Sequence, residues 1–211
     1  MDLSNPLASI MPANDALVFR VLARLESPVS GRQVHKLAGY SSYSGVRLAL
    51  ERLTTTGIVH AQRLEHATLF SINRDHVLWP CLDEIMVSRL QLMRMIRGYL
   101  NYPVEFASPD GQLSVSFYGS VARCDSSQSS DVDLAVVYAT TDLRRELEST
   151  VLQVADQIEL WTGNPCQMYD ITRTELKHMV TVEDPLVASW SQDAVAILGP
   201  SMQTLIRDAR L

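Results

Sequence analysis

Two aspartates two positions apart, Asp131 and Asp133, close a stretch that opens on Gly119-Ser120 and reads FYGSVARCDSSQSSDVDLAVVY. Residues 113–118 alternate in strand fashion before it, and 134–137 read as a second strand after it. On a strand, side chains two apart leave the same face, so both carboxylates point one way. Such a pair repels itself unless a cation sits between the two. Magnesium seeks oxygen and shares its shell with phosphates, which suits this pair. Glycine lets backbone N–H groups come close to an anion. Ser120 adds a hydroxyl donor, and a helix starting after it favours negative charge. The chemistry expected here is the holding of a polyphosphate with Mg2+.

This stretch resembles the signature of the nucleotidyltransferase superfamily that includes DNA polymerase beta. It is most similar to the small bacterial members, which read GSxARG…SDxDL. Gly119, Ser120, Ala122, Arg123, Ser130, Asp131 and Asp133 all match, while Cys124 replaces a glycine. The resemblance implies that Gly119, Ser120, Arg123 and Ser130 bind a nucleoside triphosphate, with ATP the expected one. It implies that Asp131 and Asp133 hold Mg2+ and are catalytic, passing a nucleoside monophosphate to a hydroxyl acceptor with loss of pyrophosphate. Arg123 would brace the loop through an acidic partner or contact the phosphates.

The family carries a third acid on the next strand, and the spacing puts Gln167 there. An amide cannot serve as a general base at neutral pH. Asp170 is the nearest carboxylate and the candidate third catalytic residue, although a regular strand turns it away from Gln167. Glu159, on the preceding helix, is a weaker candidate. Three readings stay open: transfer using Asp170 or no side-chain base, nucleotide binding without turnover, and a scaffold.

The elements that must position these residues are legible as patterns. Residues 141–162 form a helix with Leu143, Leu147, Val151, Val154, Ala155 and Ile158 as its apolar stripe. Gly163-Asn164-Pro165 is a turn and 166–171 a strand. Thr172 and Glu175 make a capping box for a short helix. A helix after Asp184-Pro185, a strand over 194–198 and a helix over 201–210 follow. Residues 75–99 predict one long helix with Arg89, Arg94 and Arg97 on its wet side, and its length and apolar stripe suggest dimerisation. His178 and Trp190 read as packing or lip residues.

The first third has a different pattern. Residues 15–25 predict a helix, and Ser30 with Gln33 a capping box for a second. Ser41, Ser42 or Ser44 caps a third helix ending before Gly57, and two short strands with a polar tip follow. GRQVHKLAGYSSYSGVRLALERLTTTGIVHAQR resembles the winged helix-turn-helix family over residues 14–74. That resemblance implies double-stranded DNA as a partner, with the third helix in the major groove. Ser42, Tyr43, Ser44 and Arg47 would meet base edges or phosphates, and Arg52 and Arg63 phosphates. A protein-contact role for this domain stays open beside it.

Charge divides the chain in the same place. Residues 1–75 hold eight Lys/Arg and six Asp/Glu, while 76–211 hold ten and eighteen. Only the first part could approach a polyanion unaided. The expected class is α/β (α+β): a winged helix-turn-helix over 1–75, a linking helix over 76–100, and a nucleotidyltransferase-type mixed sheet flanked by helices over 101–211. Three scattered cysteines fit neither a disulfide framework nor a zinc cluster, and no apolar run is long enough for a membrane span. A cytoplasmic setting, no membrane partner, and a homodimer or another protein as further partners are expected.

Overall fold

A computed structural model describes residues 1–39, 42–104 and 112–211, apart from the side chains of 101–104. Ser41, one of the predicted caps, lies outside them. The chain divides into two compact units, Asp2 with Ser4–Ser88, and Met1 and Leu3 with Arg89–Leu211.

The first unit holds α1 (Ala13–Ala23), β1 (Val29–Ser30), α2 (Gly31–Ala38), α3 (Tyr43–Thr55), β2 (Val59–Arg63), β3 (Thr68–Ile72) and α4 (Trp79–Met86). The expected capping box on α2 forms, with Ser30 Oγ accepting from Gln33 N and Gln33 Oε1 accepting from Ser30 N. Val18, Phe19, Leu22, Val34, Val46, Ala49 and Leu50 fill one core between the three helices. The wing is the antiparallel β2–β3 pair, and β1 adds a third strand against β3. Three helices with this small sheet make the winged helix-turn-helix arrangement.

The second unit carries α5 (Ser88–Val104), β4 (Leu113–Tyr118), α6 (Gly119–Arg123), β5 (Val132–Tyr138), α7 (Thr141–Thr162) and β6 (Cys166–Thr172). It ends in α8 (Arg173–Thr181), α9 (Pro185–Asp193), β7 (Val195–Leu198) and α10 (Met202–Ala209). The sheet runs β6-β5-β4-β7, with β5 and β6 parallel and the other pairs antiparallel. That mixed sheet with helices on both faces is the expected class. Its period-two alternation sorts the core. Val115, Phe117, Leu134 and Val136 face α5 and α7, whereas Ala135, Val137 and Ile171 face α8, α9 and α10.

The single helix expected over 75–99 is two helices. α4 stops at Met86, and Val87 leaves helical geometry at φ −99°, ψ 16°. Ser88 Oγ donates to the Ile85 carbonyl at 2.6 Å, the short-range side-chain bond by which serine competes with a continuing helix. Of the arginines expected on the wet side of that helix, Arg97 is exposed and Arg89 half-buried, and each also bonds backbone. Arg97 donates twice to the Ile197 carbonyl, at 2.9 and 2.7 Å, and ties α5 to β7. Arg89 donates to the carbonyls of Val121 and Ala122, both at 3.1 Å. Arg94 remains exposed.

Candidate functional site

β4 delivers the chain to Gly119, whose φ of +67° belongs to the left-handed region. A Cβ there would collide with the Asp133 carboxylate. Any other residue would pay both strain and a clash, so glycine is what lets this backbone lie against the acid. α6 runs only from Gly119 to Arg123, so a helix macrodipole contributes little. Cys124 follows at φ 61°, ψ 34°, in a left-handed cap position of the kind glycine usually fills. A non-glycine residue there costs about 1 kcal/mol. Cys124→Gly should therefore raise the unfolding midpoint by about 3 °C, measured by thermal denaturation.

The loop after α6 is shaped by a residue that sequence patterns did not single out. Asn164 is 2% exposed and donates to the carbonyls of Ser130 at 2.8 Å and Gln128 at 3.3 Å. Its neighbour Pro165 accepts from Val132 N at 2.8 Å. The turn before β6 thus clamps the segment that carries Asp131. The only sequence signal was the Gly-Asn-Pro turn itself, which says nothing of the partner. Asn164→Ala removes a buried donor from the carbonyls of Ser130 and Gln128 and should cost about 1 kcal/mol. Amide exchange at Ser130 and Asp131 should quicken with it, as hydrogen-exchange NMR would record.

Asp131 and Asp133 are half-buried; Asp133 lies in β5, whereas Asp131, expected on the same strand, immediately precedes it. Burial, and then the Asp131 charge, push the Asp133 carboxyl above the usual carboxylate range, with Arg123 partly opposing. The pair is thus an anionic site that a cation would relieve. No group of three or more His, Cys, Asp or Glu suited to a metal occurs among the described residues. Two carboxylates fit Mg2+ of the kind that keeps waters and takes phosphate oxygens for its remaining ligands. Arg123 is engaged by Asp193 at 2.8 Å and Asp125 at 3.1 Å, which makes it a brace between the loop and α9.

The parallel register settles the neighbouring strand. Gln167 is the in-register partner of Asp133 on β6, so its amide shares the face of the acids. Asp170 pairs with Val136 and therefore lies on the opposite face. There it binds Arg144 of α7 at 2.9 Å. The structure does not bring Asp170 to Asp131 and Asp133, because β6 runs without the bulge that would turn it round. Glu159 sits on α7, exposed to solvent. Cys166 offers no nucleophile, since burial and the two aspartates push its thiol up to about 12. Trp190 is fully buried, in keeping with a packing role.

In the first unit, Ser42 caps α3 by accepting from Gly45 N at 3.1 Å and contacts Ser44 Oγ at 3.2 Å. Tyr43, Arg47 and Arg63 line one groove of about 750 Å3 between α3 and the wing, and Arg32 and His66 join them. Sequence reading missed Arg32, whose approach depends on how α2 crosses α3. Arg47 lies 4.0 Å from Glu51, both about two-thirds exposed, a contact that holds it weakly. Arg52 does not join this groove. Its guanidinium donates from both Nε and Nη2 to the buried carboxylate of Asp15 on α1, and it lines a separate cleft with Asp15 and Leu48.

No family model and no curated protein matches this chain. Among solved structures, a toxin–antitoxin crystallised with AMP-PNP is 15% identical, covers 54% of this chain and 82% of its own, and aligns with a TM-score of 0.30. An archaeal chromatin protein, whose structure shows a novel mode of DNA binding, is 9% identical, covers 86% of this chain and 72% of its own, and has a TM-score of 0.29. At such scores neither likeness bears on function. No helix among the described residues is long and apolar enough to cross a membrane.

Proposed function

We propose that the protein is a DNA-binding regulator whose nucleotidyltransferase-type domain binds a magnesium–nucleoside triphosphate, such as MgATP, and does not transfer it. Residues 1–75 form the DNA reader and 101–211 the nucleotide domain. The observation that carries the absence of transfer is the in-register placement of Gln167 beside Asp133, with Asp170 on the other face. Asp131 and Asp133 hold Mg2+, which when bound neutralises triphosphate charge. Gly119 brings backbone N–H groups to the phosphates, and Ser120 and Ser130 add hydroxyls. Arg123 secures the loop and is positioned to compensate its charge.

A neutral amide in the third position neither accepts a proton nor binds a metal well. An acceptor hydroxyl would then lose its proton without help. The second reading, a transferase of nucleoside monophosphate to a hydroxyl, is supported by the intact Gly119-Ser120 and Asp131-Val132-Asp133 elements. One assay separates the two: γ-labelled ATP is incubated with protein and Mg2+, and bound intact nucleotide and released labelled pyrophosphate are counted in the same sample. Stoichiometric binding without steady release supports the sensor. Steady release that disappears in Asp131→Ala makes the protein a transferase.

A further inference from the structure

Beside the acid pair stands a cluster of rings that phosphate and metal binding do not use. Tyr118 is the cross-strand partner of Asp133, and Tyr169 is the in-register partner of Ala135. Both therefore stand on the face that carries Asp133 and Gln167. Each meets Trp190 of α9 edge-on, Tyr118 at 6.0 Å and 77°, Tyr169 at 5.4 Å and 65°. Trp190 is fully buried and Ala135, small, is 1% exposed, so the tryptophan packs where the alanine leaves room. The cluster is anchored from behind, yet Tyr169 remains 37% exposed.

The exposed part of this face of the edge strand runs from Gln167 to Tyr169, so the ring is open on the side toward the acid pair. Ile171, next along the same face, is buried. Tyr169 is two residues beyond Gln167, about 7 Å along the strand. That separation is of the size of the span from a nucleotide's inner phosphate to its base. A ring held by edge contacts to a fixed tryptophan cannot swing freely, so it presents a face with little entropy left to lose.

Resting on the nucleotide reading, we propose that Tyr169 is the platform on which the nucleobase stacks, with Trp190 and Tyr118 holding it in place. Stacking accepts any base and favours the larger purine rings, because every base has a π-face. The site thus prefers purine to pyrimidine triphosphates and gains affinity from the base beyond that of the polyphosphate.

The test is calorimetric titration of the full chain with ATP, CTP and inorganic tripolyphosphate in Mg2+, for the parent, Tyr169→Phe and Tyr169→Leu. Circular dichroism confirms that each variant is folded. Leucine keeps apolar contact with Trp190 while removing the ring. Stacking predicts that Tyr169→Leu loses about tenfold in ATP affinity, that Tyr169→Phe keeps it, and that tripolyphosphate binds all three alike. ATP binding unchanged in Tyr169→Leu overturns the stacking role and leaves the metal–phosphate site standing. Equal loss of ATP and tripolyphosphate in the leucine variant overturns it too, since the residue would then be supporting the whole site. A parent that binds neither ligand removes the nucleotide reading and this inference together.

Discussion

Asp131→Ala is expected to lower Mg2+-dependent nucleotide affinity by more than about a hundredfold, and Asp133→Asn to do nearly the same. Each removes one of two carboxylates, and no third metal-binding carboxylate stands beside them among the described residues. A site with three protein ligands could lose one and keep its ion. A site with two keeps a single carboxylate and water, which for Mg2+ is close to no protein site at all. The same variants should not be less stable without nucleotide. The Asp133 carboxyl is pushed upward by burial and by Asp131, so its ionised form is a cost to the unliganded fold at neutral pH. Removing that charge should leave the unfolding midpoint of Asp133→Asn about 2 °C higher. Affinity falling while stability rises distinguishes a functional pair from a structural one. Calorimetric titration with MgATP beside thermal denaturation reads both.

The second large effect concerns the groove between α3 and the wing. Replacing Arg47 and Arg63 together by alanine should weaken duplex DNA binding by about a hundredfold at low salt and reduce the dependence of log affinity on log salt by about two. Both side chains line the groove, and Arg47 has only a solvated contact with Glu51. Arg32→Ala should add to the loss, since it lines the same groove. Arg52→Ala supplies the contrast. It strands the Asp15 carboxylate, 5% exposed, and should lower the unfolding midpoint, by less than a fully buried pair would because Arg52 is half exposed. Its salt slope should match the parent's. Fluorescence anisotropy across a salt series measures all four proteins. A double variant with the parent's slope would take α3 and the wing out of the DNA interface.

Arg52 also marks where sequence reading stops. In the sequence it is one more arginine of the third helix, expected with Arg63 to touch phosphates. Its role is decided by Asp15, thirty-seven positions away on α1. Asn164 is the same kind of case, a turn residue by pattern and a loop clamp through contacts to Gln128 and Ser130. Arg89 and Arg97 fell on the polar side of a helical wheel, yet a long side chain at a helix edge can reach backbone that periodicity does not describe. Local features were legible because their causes are local. The Ser30–Gln33 and Thr172–Glu175 boxes formed as spelled. α7 spans the expected residues, and its stripe at Leu143, Leu147, Val151, Val154 and Ile158 is buried. The displacement of Asp170 from the acid pair was also foreseeable, since three residues separate it from Gln167 and an odd step on a strand changes faces. What the register adds is that no bulge intervenes.

A magnesium–triphosphate site at Gly119, Asp131 and Asp133 requires that nucleotide binding depend on the metal. That dependence is tested most directly by titrating ATP into the full chain by calorimetry, once with Mg2+ and once with EDTA. The predicted result is saturable binding at one site per chain with Mg2+ and none in EDTA. No binding in either buffer, or equal binding in both, would contradict it.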